Sequence, residues 1–139
     1  GMEAQVQPNQ ADGLYGSRLY LDENTDAKKR LQAVIIWNLI GSKELAISFP
    51  YDSTRSLGDT YEAAADALGV RSLFGYATRP IRDDHRPFVE KEIPVIAVLD
   101  GNYAYRHTAD DTLEALSPES LQTIGGVTLH WLKTAATKP

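Results

Sequence analysis

At 139 residues the chain has the length of one domain around a single buried core. Its 42% apolar and 24% charged residues are ordinary globular composition, and a net charge of −5 excludes a nucleic-acid partner, because the densest basic run is only Lys28-Lys29-Arg30. There is no cysteine, which excludes disulfides, thiolate nucleophiles and cysteine-bound zinc, so any metal must be held by His, Asp or Glu.

Gly1-Met2 reads as an expression remnant followed by an initiator methionine. Residues 1–12 are polar and lead into a short helix over 13–21, with Asp12 placed as its cap and Leu14, Arg18 and Leu21 on one face. Residues 22–30 are expected to form a loop. The run Ala33-Val-Ile-Ile-Trp-Asn38-Leu-Ile40, closed by Gly41, is the pattern of a strand covered on both faces. Leu45-Ala-Ile-Ser-Phe49 alternates and is stopped by Pro50, so it reads as a second strand near an edge.

Asp59 is placed to cap the next helix, whose Tyr61, Ala64, Ala65 and Leu68 repeat at helical spacing before Gly69. Residues 70–82 read as an irregular connection. A helical turn after Asp83-Asp84-His85 leads to a third strand, Ile93 to Leu99. Ser117-Pro118 opens a final helix with Leu121, Ile124, Leu129 and Leu132 on one face and His130 in a structural role. Helices alternating with apolar strands imply one α/β domain over 1–139, with a mostly parallel sheet flanked by helices. No apolar run reaches the roughly 18 to 20 residues of a membrane span, so no membrane partner is expected.

Polar chemistry gathers after the third strand and before it. His107 with Thr108 and Asp111 could be a metal ligand with an orienting carboxylate, or a loop histidine among capping neighbours. Asp83-Asp84-His85 could meet a cation or a substrate amine, or could cap the turn that follows. Adjacent residues rarely point to one centre, so one or two of these three are expected to share a site. Tyr103 and Tyr105 could wall a pocket, and Glu3 taken alone is a surface acid.

In order along the chain, Gly1-Met2-Glu3-Ala4, Asp12-Gly-Leu-Tyr-Gly-Ser-Arg18, Trp37-Asn38-Leu-Ile-Gly41, Asp83-Asp84-His85-Arg-Pro-Phe88 and His107-Thr-Ala-Asp-Asp111-Thr112 resemble the landmarks of the zinc-dependent aminopeptidases, whose fold the glutaminyl-peptide cyclotransferases share. The resemblance runs from about Glu3 to Leu132 and implies the C-terminal half of an α/β metallohydrolase with zinc at the carboxyl edge of its sheet and peptides as substrates. By position it implies Glu3 and His107 as zinc ligands, Asn38 where the two-zinc enzymes place an aspartate, and Asp83 as a substrate contact. Asp84, His85, Asp111, Tyr103 and Tyr105 would then surround that site.

Two departures bear on activity. Met2 falls where the resemblance expects the general base, and a thioether cannot take a proton from water. Asn38 brings no charge to a metal, and the family's other ligands lie upstream of the residues present. The chain is therefore expected to be an incomplete or inactive aminopeptidase-like half, with a cyclotransferase-like protein or a non-catalytic peptide- or partner-binding half-domain as alternatives. Arg106 before His107 leans toward the aminopeptidases, because a tryptophan usually precedes that histidine in the cyclotransferases. Lacking the first half would leave the run Ala33–Ile40 partly bare, so a homodimer or higher oligomer is expected.

Overall fold

A computed structural model describes residues 13–135; Met2, Glu3 and the cap expected at Asp12 lie outside them. The first helix, α1 (Tyr15–Glu23), starts from Leu14, whose φ of 57° places it in the left-handed region, and a short α2 (Ala27–Arg30) follows. The stretch 22–30 expected to be a loop is thus largely helical, because Leu21 and Ala27 both find the core.

The β-branched run forms β1 (Val34–Asn38), and its partner is β4 (Val95–Leu99), parallel and in register from Val34–Val95 to Asn38–Leu99. A second parallel ladder joins β2 (Ile47–Phe49) to β3 (Phe74–Tyr76). The ladders meet through the antiparallel bridge Ile47–Asp100 and through Thr54, whose N–H donates to Val95 O at 2.8 Å while its hydroxyl accepts from Val95 N at 3.0 Å. The resulting order is β1-β4-β2-β3, parallel within each pair. So β2 is interior rather than near an edge, and β3, read from sequence as irregular connection, supplies the edge; three residues are too few to show a period.

Alternation along the strands divides the core into two. Ile35, Ile96 and Val98 face α3 (Arg55–Ala67) and α5 (Pro118–Ala135), whereas Val34, Ile36 and Val95 face α1, α2 and α4 (Arg86–Glu90). The first layer is anchored by an aromatic cluster in which Phe49, fully buried, lies 6.0 Å from Tyr61, 6.1 Å from Phe74 and 5.4 Å from Tyr76 between ring centroids. β4 is buried throughout, as expected of a strand covered on both faces. β1 is not: its first three residues are half-buried and Trp37 is 49% exposed.

Helix limits and faces differ from the sequence reading in three places. α3 begins after Thr54, a turn earlier than Asp59, and Asp59 pairs with Arg55 at 2.8 Å instead of capping. Leu68 is exposed at that helix's end, where Gly69 takes the positive φ of 73° that an L side chain resists. In α5 the buried stripe is Ile124, Val127, Thr128 and Trp131, while Leu121, Leu129 and Leu132 point outward. The Ser117 cap is present, its hydroxyl accepting from Ser120 N at 3.2 Å.

Because Phe49 joins β2, β3 and α3 in one cluster, Phe49→Ala should cost about 3–5 kcal/mol of unfolding free energy. Urea denaturation followed by circular dichroism would measure it, and a loss below about 1 kcal/mol would contradict this account of the core.

Candidate functional site

Asp83, Asp84 and His85 each fasten a different element. The buried Asp83 carboxylate accepts the Asn38 amide at 2.9 Å on one oxygen and the Asp84 backbone N–H at 2.8 Å on the other, which ties it to the carboxyl end of β1. Asp84 accepts the Ser17 hydroxyl of α1 at 2.6 Å. His85, fully buried, places Nε2 3.0 Å from the Asp52 carboxylate in the connection after β2. Only a carboxylate faces Nε2, so that nitrogen bears the hydrogen and donates, leaving Nδ1 buried without a partner.

Asp52 also accepts from Arg86, whose guanidinium lies 3.9 Å from Glu90. Burial would raise the Asp52 pKa, but the hydrogen bonds from Arg86 and His85, with the charge of His85, together hold it below the ordinary value of 3.8. No side chain caps α4, whose N-cap is His85 itself, so the acids span elements instead of ending a turn. As the spacing argument anticipated, the three do not converge on one centre.

The second polar group follows β4. Asp100, buried at the strand's end, accepts from the Ser42 hydroxyl at 2.6 Å, Ala46 N at 3.4 Å and Asn102 N at 3.0 Å, fixing the start of the loop. The loop then brings the half-buried Tyr103 and the exposed Tyr105 into edge-to-face contact at 5.7 Å, beside a groove of about 740 Å³ that Glu44, Asp110 and Glu114 also line. Tyr103 donates to Asp111 at 2.7 Å, and this acceptor is the main cause of a phenol pKa pushed up to about 12. His107 is exposed, with Nε2 accepting from Arg106 Nε at 3.1 Å. Its φ is 62°, and Leu39, directly after Asn38, has a φ of 56°. Left-handed non-glycine residues cost on the order of 1–3 kcal/mol and concentrate at functional sites.

Asn38 and Asp83 therefore come together, as do Tyr103, Tyr105 and Asp111, while Asp84 and His85 are turned to Ser17 and Asp52. His107 meets Arg106 and neither of the first pair. Sequence reading did not single out Asp52, Ser17 or Asp100 as partners. Asp100, a lone acid closing an apolar strand, was the one with a visible signal.

This arrangement has counterparts among known proteins. The sequence profile of Peptidase family M28 matches residues 3–132, nearly the whole chain. The chain belongs to peptidase family M28. Among solved structures, the glutaminyl cyclase of an Acidobacteriales bacterium is 30% identical and superposes with a TM-score of 0.90, over 96% of this chain and 50% of that one. Porphyromonas gingivalis glutaminyl cyclase shares the fold at 20% identity and TM-score 0.84, with coverage of 96% and 53%. So does the Bacillus subtilis zinc aminopeptidase BSAP, at 24% identity and TM-score 0.72, with coverage of 88% and 32%. No curated protein sequence matches significantly. The M28 chain thus spans about half the length of the cyclases it resembles, or less in BSAP.

Zinc is the metal that the M28 family and its aminopeptidase neighbour suggest. The described residues do not by themselves fit it. Among them no group of three or more His, Asp or Glu gathers, Asn38 donates its amide NH2 to Asp83 and could offer a metal only an uncharged Oδ1, and His107 already accepts Arg106 on Nε2. A zinc centre ordinarily takes at least three protein ligands, of which His107 could be one.

The Asp52 carboxylate generates a pH prediction. Its folded pKa is depressed, so its stabilisation is fully present above the unfolded value near 3.8 and is lost as pH falls through the lower folded value. Asp52→Asn should be less stable at neutral pH and should show a shallower loss of stability below pH about 4. Parallel acid-unfolding curves for the two proteins would contradict the Asp52–His85–Arg86 account.

Proposed function

We propose that the M28 domain to which this chain belongs acts on the N-terminal residue of peptides, and that this half supplies the anion that holds the peptide's α-amine. The observation that supports it is the Asp83 carboxylate. It sits beside the carboxyl end of β1, where ligands bind in open α/β sheets, with one neutral donor on each oxygen. Neutral donors stabilise the carboxylate without cancelling its charge, and the remaining lone pairs can accept an ammonium or amine. The Asn38 amide fixes the carboxylate plane, so the amine is held in one orientation, which shortens the search for the reactive geometry.

Two reactions share that requirement. In cyclisation the α-amine of an N-terminal glutamine attacks its own side-chain carboxamide carbon, forming the ring bond and releasing ammonia; in aminopeptidase hydrolysis water attacks the first peptide carbonyl and releases the residue. The 30% identity and TM-score of 0.90 to the Acidobacteriales cyclase favour cyclisation, against the lean toward aminopeptidases that Arg106 gave.

Cyclisation of a glutaminyl peptide and release of a chromogenic amino-acid anilide, assayed with zinc on the protein at its natural full length, test the proposal. Turnover of the first is expected, and inactivity in both would defeat the reading. Asp83→Ala should lower kcat/KM about 100-fold or more, whereas Asp84→Asn, one residue away and directed at Ser17, should lower it less than about tenfold. Equal effects would remove Asp83 from the amine site.

A further inference from the structure

We propose that Asp52 is a positioning residue for Asp83: acting through His85 and Arg86, it sets where the Asp83 carboxylate stands. The consequence for turnover rests on the reading of Asp83 as the amine-binding group. The positioning itself rests only on bonds between buried and half-buried groups.

Residues 83–86 form one turn, closed by the Arg86 N–H donating to Asp83 O at 3.0 Å. The turn runs straight into α4, because the His85 carbonyl accepts from Phe88 N and from Val89 N, each at 3.1 Å. Asp83 and the pair His85–Arg86 are therefore the two ends of one small rigid unit. Asp52 grips the second end with both oxygens: Oδ1 accepts from His85 Nε2 at 3.0 Å, and Oδ2 accepts from Arg86 Nη1. A carboxylate bound to two consecutive residues, by one oxygen each, resists both sliding and rotation of the turn.

Asp52 is itself fixed to the sheet. Its connection folds back where Ser53 N donates to Pro50 O at 3.0 Å. It is then stapled to β4: Thr54 N donates to Val95 O at 2.8 Å, the Thr54 hydroxyl accepts from Val95 N at 3.0 Å, and the Ser53 hydroxyl accepts from Ala97 N at 3.5 Å. Two routes thus lead from the fully buried β4 to Asp83. One passes through the β1 pairing to Asn38 and ends on the carboxylate. The other passes through the connection, Asp52 and the turn, and ends on the Asp83 backbone. The first route sets the plane of the carboxylate and the second sets its place. Plane alone does not suffice, since a displacement of about 1 Å at a reacting group can cost on the order of 100-fold in rate.

Steady-state kinetics on the protein at its natural full length test this, with zinc present and whichever of the glutaminyl peptide and the anilide is turned over. Asp52→Asn keeps the size of the side chain but leaves one acceptor oxygen and no charge. It should lower kcat about tenfold and move KM less than about threefold, because the Asp83 anion remains and only its place is lost. In an Asp83→Ala background the same change should lower kcat/KM less than about twofold, since nothing is left to position. Equal losses in both backgrounds, as a merely structural role would give, overturn the proposal, and so do parent kinetics in Asp52→Asn. Should Asp52→Asn not fold, Arg86→Leu, which removes the bond to one Asp52 oxygen, carries the same cycle with the same expectations. A parent inactive on both substrates defeats the amine reading alone. The positioning is then read from amide hydrogen exchange: Asp52→Asn should speed the Arg86 N–H about tenfold more than the β4 amides, and equal acceleration overturns it.

Discussion

The constraint on which the described structure depends is the tie of a three-residue polar segment to three separate elements. Asp83 reaches β1, Asp84 reaches α1 and His85 reaches the connection after β2. These elements belong to different parts of the layered fold, and apolar packing alone would leave their relative positions free to slide, since burial is non-directional. Hydrogen bonds to charged groups contribute roughly 1.5–3 kcal/mol each and are directional, so they can set the register that burial does not. The segment sits at the mouth of α4, whose Phe88 anchors the second core layer. Polar ties and packing thus act on the same few residues.

Two buried carboxylates show how local environment separates structure from chemistry. Asp100 accepts three donors, from Ser42, Ala46 and Asn102, and Ser42 in turn accepts Ser120 of α5 on its carbonyl at 2.7 Å. That network closes on itself and leaves little for a ligand. Asp83 accepts two donors and stands where β1 ends. A carboxylate with unused lone pairs at a strand terminus is available for recognition, whereas one enclosed by its own loop is a clasp.

What was legible in the sequence follows the same division. The long apolar runs gave β1 and β4, and the Tyr61, Ala64 and Ala65 spacing gave the buried face of α3, because period and hydrophobicity are local properties. β3 was not legible, since Phe74-Gly-Tyr76 becomes a strand only through its pairing with β2. The face of α5 was misjudged for a related reason. Leu121, Leu129 and Leu132 are apolar, and nothing local distinguishes a leucine turned to the core from one turned to solvent. Among the site residues, the ordered motifs identified the family from 3–132, yet Asp52 stayed invisible: its partner His85 is 33 residues away and only the β2 connection brings them together.

Two left-handed residues, Leu39 and His107, differ in what holds them. Leu39 follows Asn38, whose amide is committed to Asp83, and the turn that brings the chain from β1 toward Gly41 must be made immediately afterwards. The Asn38–Asp83 bond thus holds the end of β1 directly beside the strained Leu39. His107 has the same backbone conformation but weaker constraints: the Arg106 contact and the Thr108 turn, in which Thr108 N and Oγ1 both donate to Tyr105 O at 3.0 and 2.7 Å. Its loop is exposed on nearly every residue from Ala104 to Glu114. Strain of this kind persists where the surroundings over-determine it. For Leu39 those surroundings are visible, and for His107 only part of them is. The end of β1 is thus held by side-chain bonds to another element, whereas the conformation of His107 rests on contacts within its own loop.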